Sequence, residues 1–290
     1  FAAYFSLVYA TPIVGGVIAD RFLGNQKSII LGGVLITLGH LTLVIPGLIG
    51  FYLGLAFIVS GTGLFKANIS TLLGQLYSKN DPRKDSGFTL FYMGINLGAV
   101  LAPLVCGYIG EVYGWHYGFG IASIGMLAGL FTFVWGTKSF EGRGLSPRPQ
   151  WLKESSFLSL SREVWIYISC FASVPVFAFF MTKPNWFGLA LPVIGILVFI
   201  WVVFIAFSSP REERNAILVI LAMLFFQVTF FSLFEQAGSS VTMFTERGVD
   251  REVFGFTVPT SQFQALNPFF IILLGPLFSW GWTALSARGK

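Results

Sequence analysis

A single lysine and a single glutamate lie deep inside otherwise uncharged, apolar stretches of this chain. Lys66 has fifteen uncharged residues before it and eleven after it within the stretch 51–77. Glu235 is preceded by twenty uncharged residues and followed by ten. A charge at the centre of a bilayer costs about 2.5–3.5 kcal/mol on insertion scales, so a membrane helix keeps one only where it faces protein or a watery cavity. The pair therefore indicates a polar pathway through a membrane.

The neighbours of Lys66 strengthen this interpretation. Thr62, Lys66 and Ser70 are spaced four residues apart, so in a helix they share one face. This predicts a polar stripe with a cation at its middle. The alternative is a lysine that pairs with another helix purely for assembly.

A second polar pair follows on the next apolar stretch. Tyr92 and Asn96 are four residues apart and face one way, either towards a cavity or towards a hydrogen bond with another helix. Gly94 and Gly98 lie on a different face and would allow a neighbouring helix to approach closely there.

Glu235 could hold and release a proton near neutral pH, because burial raises the pKa of a carboxyl group. The alternative is a structural, ion-paired glutamate. Near the end of the chain, Thr260, Gln264 and Asn267 follow helical spacing and offer neutral hydrogen-bonding groups to a polar substrate. His40 and His116 each lie alone, and we interpret both as structural.

The segment 15–24 contains paired glycines, Asp20, Arg21 and a final glycine. An aspartate at a helix end can form a breakable latch with a neighbouring helix terminus, which would gate a conformational change. The alternative is a charge that only sets membrane topology, which explains Arg21 but not Asp20.

Composition defines the fold class as an all-α polytopic membrane protein. The chain is 55% hydrophobic and 11% charged, with a mean hydropathy of +0.76, whereas soluble domains carry about 25% charged residues. The net charge of +5 does not indicate nucleic acid, because the basic residues lie in short loops. Cys106 and Cys170 fall in apolar spans and show no disulfide or metal spacing. No metal or other cofactor is expected.

Stretches of about 20 apolar residues predict nine transmembrane spans. The loops on one side of these spans hold 14 Lys and Arg and the loops on the other hold 3, which places the first set in the cytoplasm. The longest cytoplasmic segment, 138–162, is predicted to be a linker, and the two short spans after it are predicted to be a peripheral insertion. The predicted spans are 1–19, 28–48, 51–77, 87–109, 117–137, 163–181, 188–207, 215–243 and 260–283.

Four motifs, together with the turn 15–24, carry a family resemblance. The turn resembles the loop between the second and third helices of the major facilitator superfamily. The motifs resemble the fourth, fifth, seventh and eighth helices of the proton-dependent oligopeptide transporter family. They are Gly61–Asn68, Phe88–Ala99, Phe234–Ser240 and Gln264–Pro268.

The resemblance implies a partial major facilitator fold. Residues 1–137 correspond to helices two to six, 138–214 to the linker and two inserted helices, and 215–290 to helices seven and eight. The family's first helix has no counterpart, and Phe1 opens directly into an apolar helix. We therefore expect an internal fragment of a longer transporter.

The resemblance also implies symport of di- and tripeptides with protons, by alternating access, across the inner (cytoplasmic) membrane. Lys66 would bind the peptide carboxylate and couple to protonation, and Glu235 would be a proton site. The peptide, protons and the lipid bilayer are the expected partners, nucleic acid is not, and the oligomeric state is left open. The other residues expected to contact the peptide are Tyr9, Tyr92, Asn96, Gln264 and Asn267.

Three other functions remain as alternatives. The same fold could carry another solute, such as nitrate or a modified amino acid. An intramembrane enzyme would need a metal cluster, a Ser/Lys pair or paired aspartates within the spans, and the sequence shows none. A channel or structural subunit would leave Lys66 and Glu235 without a role.

Overall fold

The computed structural model describes residues 2–78 and 81–286. Within these ranges, nine helices are long and apolar enough to cross a membrane, and each overlaps one of the predicted spans. The predicted all-α polytopic membrane class is therefore confirmed. The candidate spans are Ala3–Leu23, Asn25–Leu43, Leu48–Gln75, Lys84–Tyr113, Trp115–Phe140, Arg162–Met181, Gly188–Ser208, Arg211–Gly238 and Thr260–Phe278.

The described residues form twelve α-helices, with short π- and 3₁₀-helical stretches and one small hairpin between them. The helices are α1 (Ala2–Ile18), α2 (Asn25–Leu43), α3 (Leu48–Gln75), α4 (Lys84–Ala102), α5 (Tyr108–Tyr113), α6 (Trp115–Gly136), α7 (Pro149–Lys153), α8 (Arg162–Met181), α9 (Pro184–Ser208), α10 (Arg211–Phe234), α11 (Ser240–Gly248) and α12 (Leu266–Ser286). The strands are β1 (Glu252–Val253) and β2 (Phe256–Thr257).

The chain divides into two compact units. The first comprises residues 1–182 and 265–290, and the second comprises residues 183–264. The predicted division into 1–137, 138–214 and 215–290 concerns the family arrangement and stays a prediction.

Paired glycines bring helix backbones into contact in the first unit. A Cβ atom at Gly15 of α1 would lie 2.0 Å from the carbonyl oxygen of Gly63 on α3. A Cβ atom at Gly32 of α2 would lie 2.7 Å from the carbonyl oxygen of Gly61 on α3. Small residues allow such close packing in membranes, where helices gain stability from van der Waals contact more than from the hydrophobic effect.

No described helix makes use of the close approach that Gly94 and Gly98 would allow. A Cβ atom at either position would meet no described atom within 4 Å. A glycine pair permits close packing, but a complementary surface must also be present. In the described residues, close contacts of this kind form between α1, α2 and α3 and also between Gly118 of α6 and Gly110 of α5, whereas these two glycines of α4 face open space.

The first of the two inserted spans, α8, is packed into the first unit. Its Val174, Ala178 and Met181 form a core cluster with Ala56 and Val59 of α3. A second contact lies at its N-terminal end, where the Lys27 ammonium pairs with the Glu163 carboxylate. The second inserted span, α9, belongs to the second unit.

The segment 138–162, which was predicted to be a linker, packs against the turn between α1 and α2. The backbone N–H of Gln26 donates to the carbonyl oxygen of Gly144 at 2.9 Å, and its side-chain amide donates to the carbonyl oxygen of Arg143 at 2.6 Å. The Ser146 hydroxyl donates to the carbonyl oxygen of Phe22. These bonds satisfy main-chain groups of both the linker and the turn.

The second unit contains a broken helix and a hairpin. The predicted span 215–243 is interrupted, because α10 ends at Phe234 and a 3₁₀ turn, Glu235–Gly238, separates it from α11. After α11, β1 and β2 form an antiparallel hairpin whose tip residues, Phe254 and Gly255, both have positive φ.

The start of the predicted span 260–283 also differs from expectation. Thr260–Ala265 is a 3₁₀-helix, and the α-helical α12 begins at Leu266. Pro268 contributes to the change, because it has no N–H to donate to the carbonyl of Gln264. Thr260 and Gln264 therefore lie on 3₁₀ backbone, before the α-helix that holds Asn267.

Candidate functional site

Lys66 and Tyr9 meet on the facing sides of α3 and α1. The Lys66 ammonium lies over the Tyr9 ring, 4.3 Å from its centroid, within the range of about 6 Å in which a cation is attracted to an aromatic face. Both side chains are exposed, and Tyr9 keeps 52% of its surface accessible. The pair is therefore open to a ligand.

Two inter-helix features bring α1 and α3 together beneath this pair. The first is the backbone contact of Gly15 with Gly63. The second is the Thr11 hydroxyl, which donates to the carbonyl oxygen of Val59 on α3 at 3.2 Å. The continuous helix of α3 keeps the four-residue spacing around Lys66 on one face, as predicted.

Tyr92 and Asn96 lie on α4. The Asn96 amide is buried and donates to the carbonyl oxygen of Tyr92 at 2.9 Å, a bond within its own helix. The Tyr92 ring is exposed. Asn267 is exposed at the start of α12, which packs against α4. The structure thus places these three residues on two neighbouring helices.

In the second unit, Gln264 binds the turn that contains Glu235. Its side-chain amide donates to the carbonyl oxygen of Ala237 at 2.6 Å and to the Thr242 hydroxyl oxygen at 2.8 Å. Both amide hydrogens are therefore used inside the protein. Glu235 is half-buried at the first residue of the turn, where α10 ends.

Asp20 and Arg21 lie in a π-helical stretch, Ala19–Leu23, that continues α1 to the turn. Both side chains are exposed. A wider helical turn at this point directs the chain into Gly24, whose φ of 77° and ψ of 163° suit glycine. The predicted gating residues thus lie next to the contact between the linker and this turn.

Sequence analysis missed a chain of three amide side chains that joins the start of α2 to the C-terminal part of α3. We call Gln75, Asn25 and Asn68 the amide chain, because each donates a hydrogen bond to the next. Asn25 and Asn68 are buried, and Gln75 is exposed. The only signal for it was the occurrence of amides in and beside apolar spans, which does not reveal their partners.

Sequence analysis also missed a crevice of about 400 Å³ between α1, α3 and α8. Its walls are mostly apolar, with the hydroxyls of Thr11, Ser60 and Ser173 among them. The hydroxyls of Ser60 and Ser173 are hydrogen-bonded to each other at 3.0 Å, and this bond connects α3 to α8. In the described part of the chain, no group of three or more His, Cys, Asp or Glu side chains could hold a metal ion.

Known proteins resemble this chain over most of its length. The model of the POT family matches residues 26–290. The chain belongs to the POT family. This is a family of membrane transporters, so the partial major facilitator fold and the family predicted from the motifs are both confirmed.

Three curated relatives cover almost all of this chain. It is 38% identical to the peptide transporter YePEPT of Yersinia enterocolitica, 36% identical to a di-/tripeptide transporter of Lactococcus lactis, and 36% identical to the uncharacterized transporter YclF of Bacillus subtilis. These alignments cover 97–98% of the chain but only 58–60% of each relative. The chain thus spans a little over half the length of these proteins.

Solved structures of family members have the same fold. A crystal structure of the peptide transporter POT in complex with alafosfalin gives a TM-score of 0.81 at 34% identity. A POT family transporter in complex with a thioalcohol-conjugated peptide gives 0.80 at 29% identity. Each comparison covers 99% of this chain and 59–61% of the other.

Proposed function

We propose that this protein carries out proton-coupled symport of di- and tripeptides across the cytoplasmic membrane by alternating access. The observation that carries the proposal is the Lys66 ammonium, held on the Tyr9 ring and accessible in the middle of a membrane span. Relatives that are named peptide transporters, at 36–38% identity, support peptides as the substrate class.

In this proposal, Lys66 binds the carboxylate end of the peptide. Its ammonium has an aromatic face as a neighbour, which is a weaker partner than a carboxylate, so a substrate carboxylate improves its electrostatic environment. In the described part of the first unit, no carboxylate lies within ion-pair distance of Lys66. The other residues of the first unit proposed to contact the peptide are Tyr9, Tyr92, Asn96 and Asn267.

Glu235 is proposed to hold the coupling proton. Its place at the break between α10 and a 3₁₀ turn is one where a helix can change its local winding at low cost. Gln264 then acts on peptide binding through the turn that it holds, since its amide hydrogens are occupied by Ala237 and Thr242. Asp20 and Arg21 form the cytoplasmic gate.

The proposed domain arrangement follows the family. Residues 1–137 belong to the N-terminal bundle, 138–214 form the linker and the inserted helices, and 215–290 begin the C-terminal bundle. The chain covers 58–60% of its curated relatives, so transport is proposed for the complete protein and is to be tested on it.

The test is uptake of a labelled dipeptide into proteoliposomes, with and without a proton gradient. We expect gradient-driven accumulation that is lost in Lys66→Ala and kept in Thr71→Ala. Thr71 is a matched control on the same helix, because its exposed hydroxyl bonds only to the carbonyl of Ala67. Equal uptake with and without the gradient would contradict symport.

One observation favours a second substrate class. A POT family transporter at 28% identity and a TM-score of 0.77 was solved in complex with 5-aminolevulinic acid. A modified amino acid is thus the second candidate. If 5-aminolevulinic acid or nitrate inhibits binding to the protein at concentrations where dipeptides do not, the result would select a solute other than a peptide.

A further inference from the structure

The amide chain includes Asn68, two residues after Lys66 on α3, and the proposed transport cycle gives it no role. Asn68 is 1% exposed and uses both amide hydrogens, one on the carbonyl oxygen of Leu64 at 2.7 Å and one on that of Gly15 at 3.3 Å. Its oxygen accepts a hydrogen bond from Asn25 at 3.1 Å, and Asn25 accepts one from Gln75 at 3.0 Å. The chain therefore connects α1, α2 and α3.

The bond from Asn68 to Gly15 joins α3 to α1 at the place where the two backbones touch. Gly15 and Gly63 allow the helices to come close. Apolar side chains of α1 also pack against the core cluster of α3, but such packing is less directional than a hydrogen bond. Asn68 supplies one directional bond between the two helices, and Thr11 supplies another through the carbonyl of Val59.

The relative position of α1 and α3 along their axes decides whether Tyr9 and Lys66 meet. One residue lies on each helix, and the ammonium is now 4.3 Å from the ring centroid. A slip of one helical turn moves a side chain by about 5.4 Å. The ammonium can move only about 1.7 Å farther from the centroid before it leaves the range of about 6 Å in which a cation is attracted to an aromatic face, so a slip of one turn breaks the contact.

We propose that Asn68 is a positioning residue for peptide binding. By fixing α1 against α3 it holds the Tyr9 ring under the Lys66 ammonium, and Asn25 and Gln75 fix the amide of Asn68 in turn. The proposal rests on the proposed function, because it assigns Asn68 to the same binding site without contact with the substrate.

The first test is a double-mutant cycle on dipeptide binding to the complete protein. Asn68→Asp keeps the side-chain volume but removes the amide hydrogens. We expect it to weaken binding by about tenfold, in line with the loss of one inter-helix hydrogen bond in a membrane. Tyr9→Leu should weaken binding several-fold in the wild-type background and have no further effect with Asn68→Asp. Additive effects would overturn the proposal, since a merely destabilising change leaves the Tyr9 contribution intact.

The second test measures helix register without using transport or binding. Val14, Ser60 and Leu64 all line the crevice, and Leu64 is one helical turn beyond Ser60. In a background with Cys106→Ala and Cys170→Ala, Val14→Cys should cross-link to one of Ser60→Cys and Leu64→Cys in preference to the other. Asn68→Asp should abolish that preference.

Three outcomes distinguish the proposed positioning role of Asn68 from the proposed transport function. Unchanged cross-linking in Asn68→Asp overturns the positioning role and leaves the proposed function intact. Lost cross-link preference combined with full uptake by Lys66→Ala refutes the proposed function and keeps the register role. If Asn68→Asp does not fold, Gln75→Leu, at the exposed end of the amide chain, should shift the cross-link preference in the same direction. No shift in Gln75→Leu would then overturn the proposal.

Discussion

Gly24→Ala tests the contact between the linker and the turn after α1. Gly24 has a φ of 77° and a ψ of 163°, a conformation that other residues adopt at a cost of about 1–3 kcal/mol. A Cβ atom there would also lie 2.4 Å from the carbonyl carbon of Leu145 and 2.6 Å from the backbone nitrogen of Ser146. Both are backbone atoms, so the linker itself must move, and overpacking of this kind costs about 1–3 kcal/mol.

The two penalties together predict a loss of about 2–6 kcal/mol in the free energy of unfolding. At about 2 °C per kcal/mol, Tm should fall by at least about 4 °C. The measurement is thermal unfolding of the purified complete protein in detergent. Trypsin cleavage after Arg143 should also accelerate, because the displaced linker no longer has its carbonyl oxygens bonded to Gln26.

Gly16→Ala is the matched control. Gly16 lies in α1, and a Cβ atom there meets no described atom within 4 Å. Alanine is about 1 kcal/mol better than glycine inside a helix, so Tm should stay level or rise slightly. If Gly24→Ala and Gly16→Ala unfold at the same temperature and are cleaved at the same rate, the contact between linker and turn is not part of the native fold.

Three further predictions concern the transport cycle. Lys66→Ala should abolish gradient-driven uptake and leave Tm close to that of the wild type, because the exposed ammonium contributes charge and little packing; a large fall in Tm would favour a structural role. Glu235→Gln should sharply reduce accumulation of peptide against a gradient while exchange of peptide across the membrane persists. Accumulation and exchange are measured side by side, and an equal loss of both would indicate a defect in binding or folding. Asp20→Asn should change the transport rate several-fold, and also the reactivity of cysteines placed at the cytoplasmic helix ends, as expected for a switch worth about 1–3 kcal/mol. If neither changes, Asp20 only sets membrane topology.

The spans and the position of Lys66 could be predicted from the sequence because both follow from the cost of polar groups in hydrocarbon. A run of about 20 apolar residues has the length that a helix needs to cross the bilayer core. A lysine in such a run is rare enough to mark a pathway. These arguments need only the order of residues along one helix.

The contacts between helices could not be predicted in the same way. Gly15 and Gly94 each belong to a glycine pair in the sequence, yet only Gly15 touches another backbone. The partners of Asn68 lie 43 and 53 residues away, at Asn25 and Gly15. Such pairings depend on which helix faces meet, which the spacing along one helix does not determine.

The start of α12 shows a different limit. Thr260, Gln264 and Asn267 were predicted to follow helical spacing, but the backbone from Thr260 to Ala265 is 3₁₀ and not α-helical. Pro268 is visible in the sequence and contributes to the difference, because its effect reaches back to the carbonyl of Gln264. A four-residue spacing places side chains on one face only where the backbone is α-helical, so the prediction was wrong at this proline.

The linker that packs against the first turn also has a consequence for the timing of biosynthesis. The bond from Gln26 to Arg143 spans 117 residues, the bond from Ser146 to Phe22 spans 124, and the pair of Lys27 with Glu163 spans 136. At about 5–20 residues per second, the ribosome supplies these partners roughly 6–27 s after the turn itself. For that interval the main-chain groups of the turn are hydrated or held by other factors. The cytoplasmic end of the first helices is thus completed late, after all the spans from α1 to α6 have been synthesised.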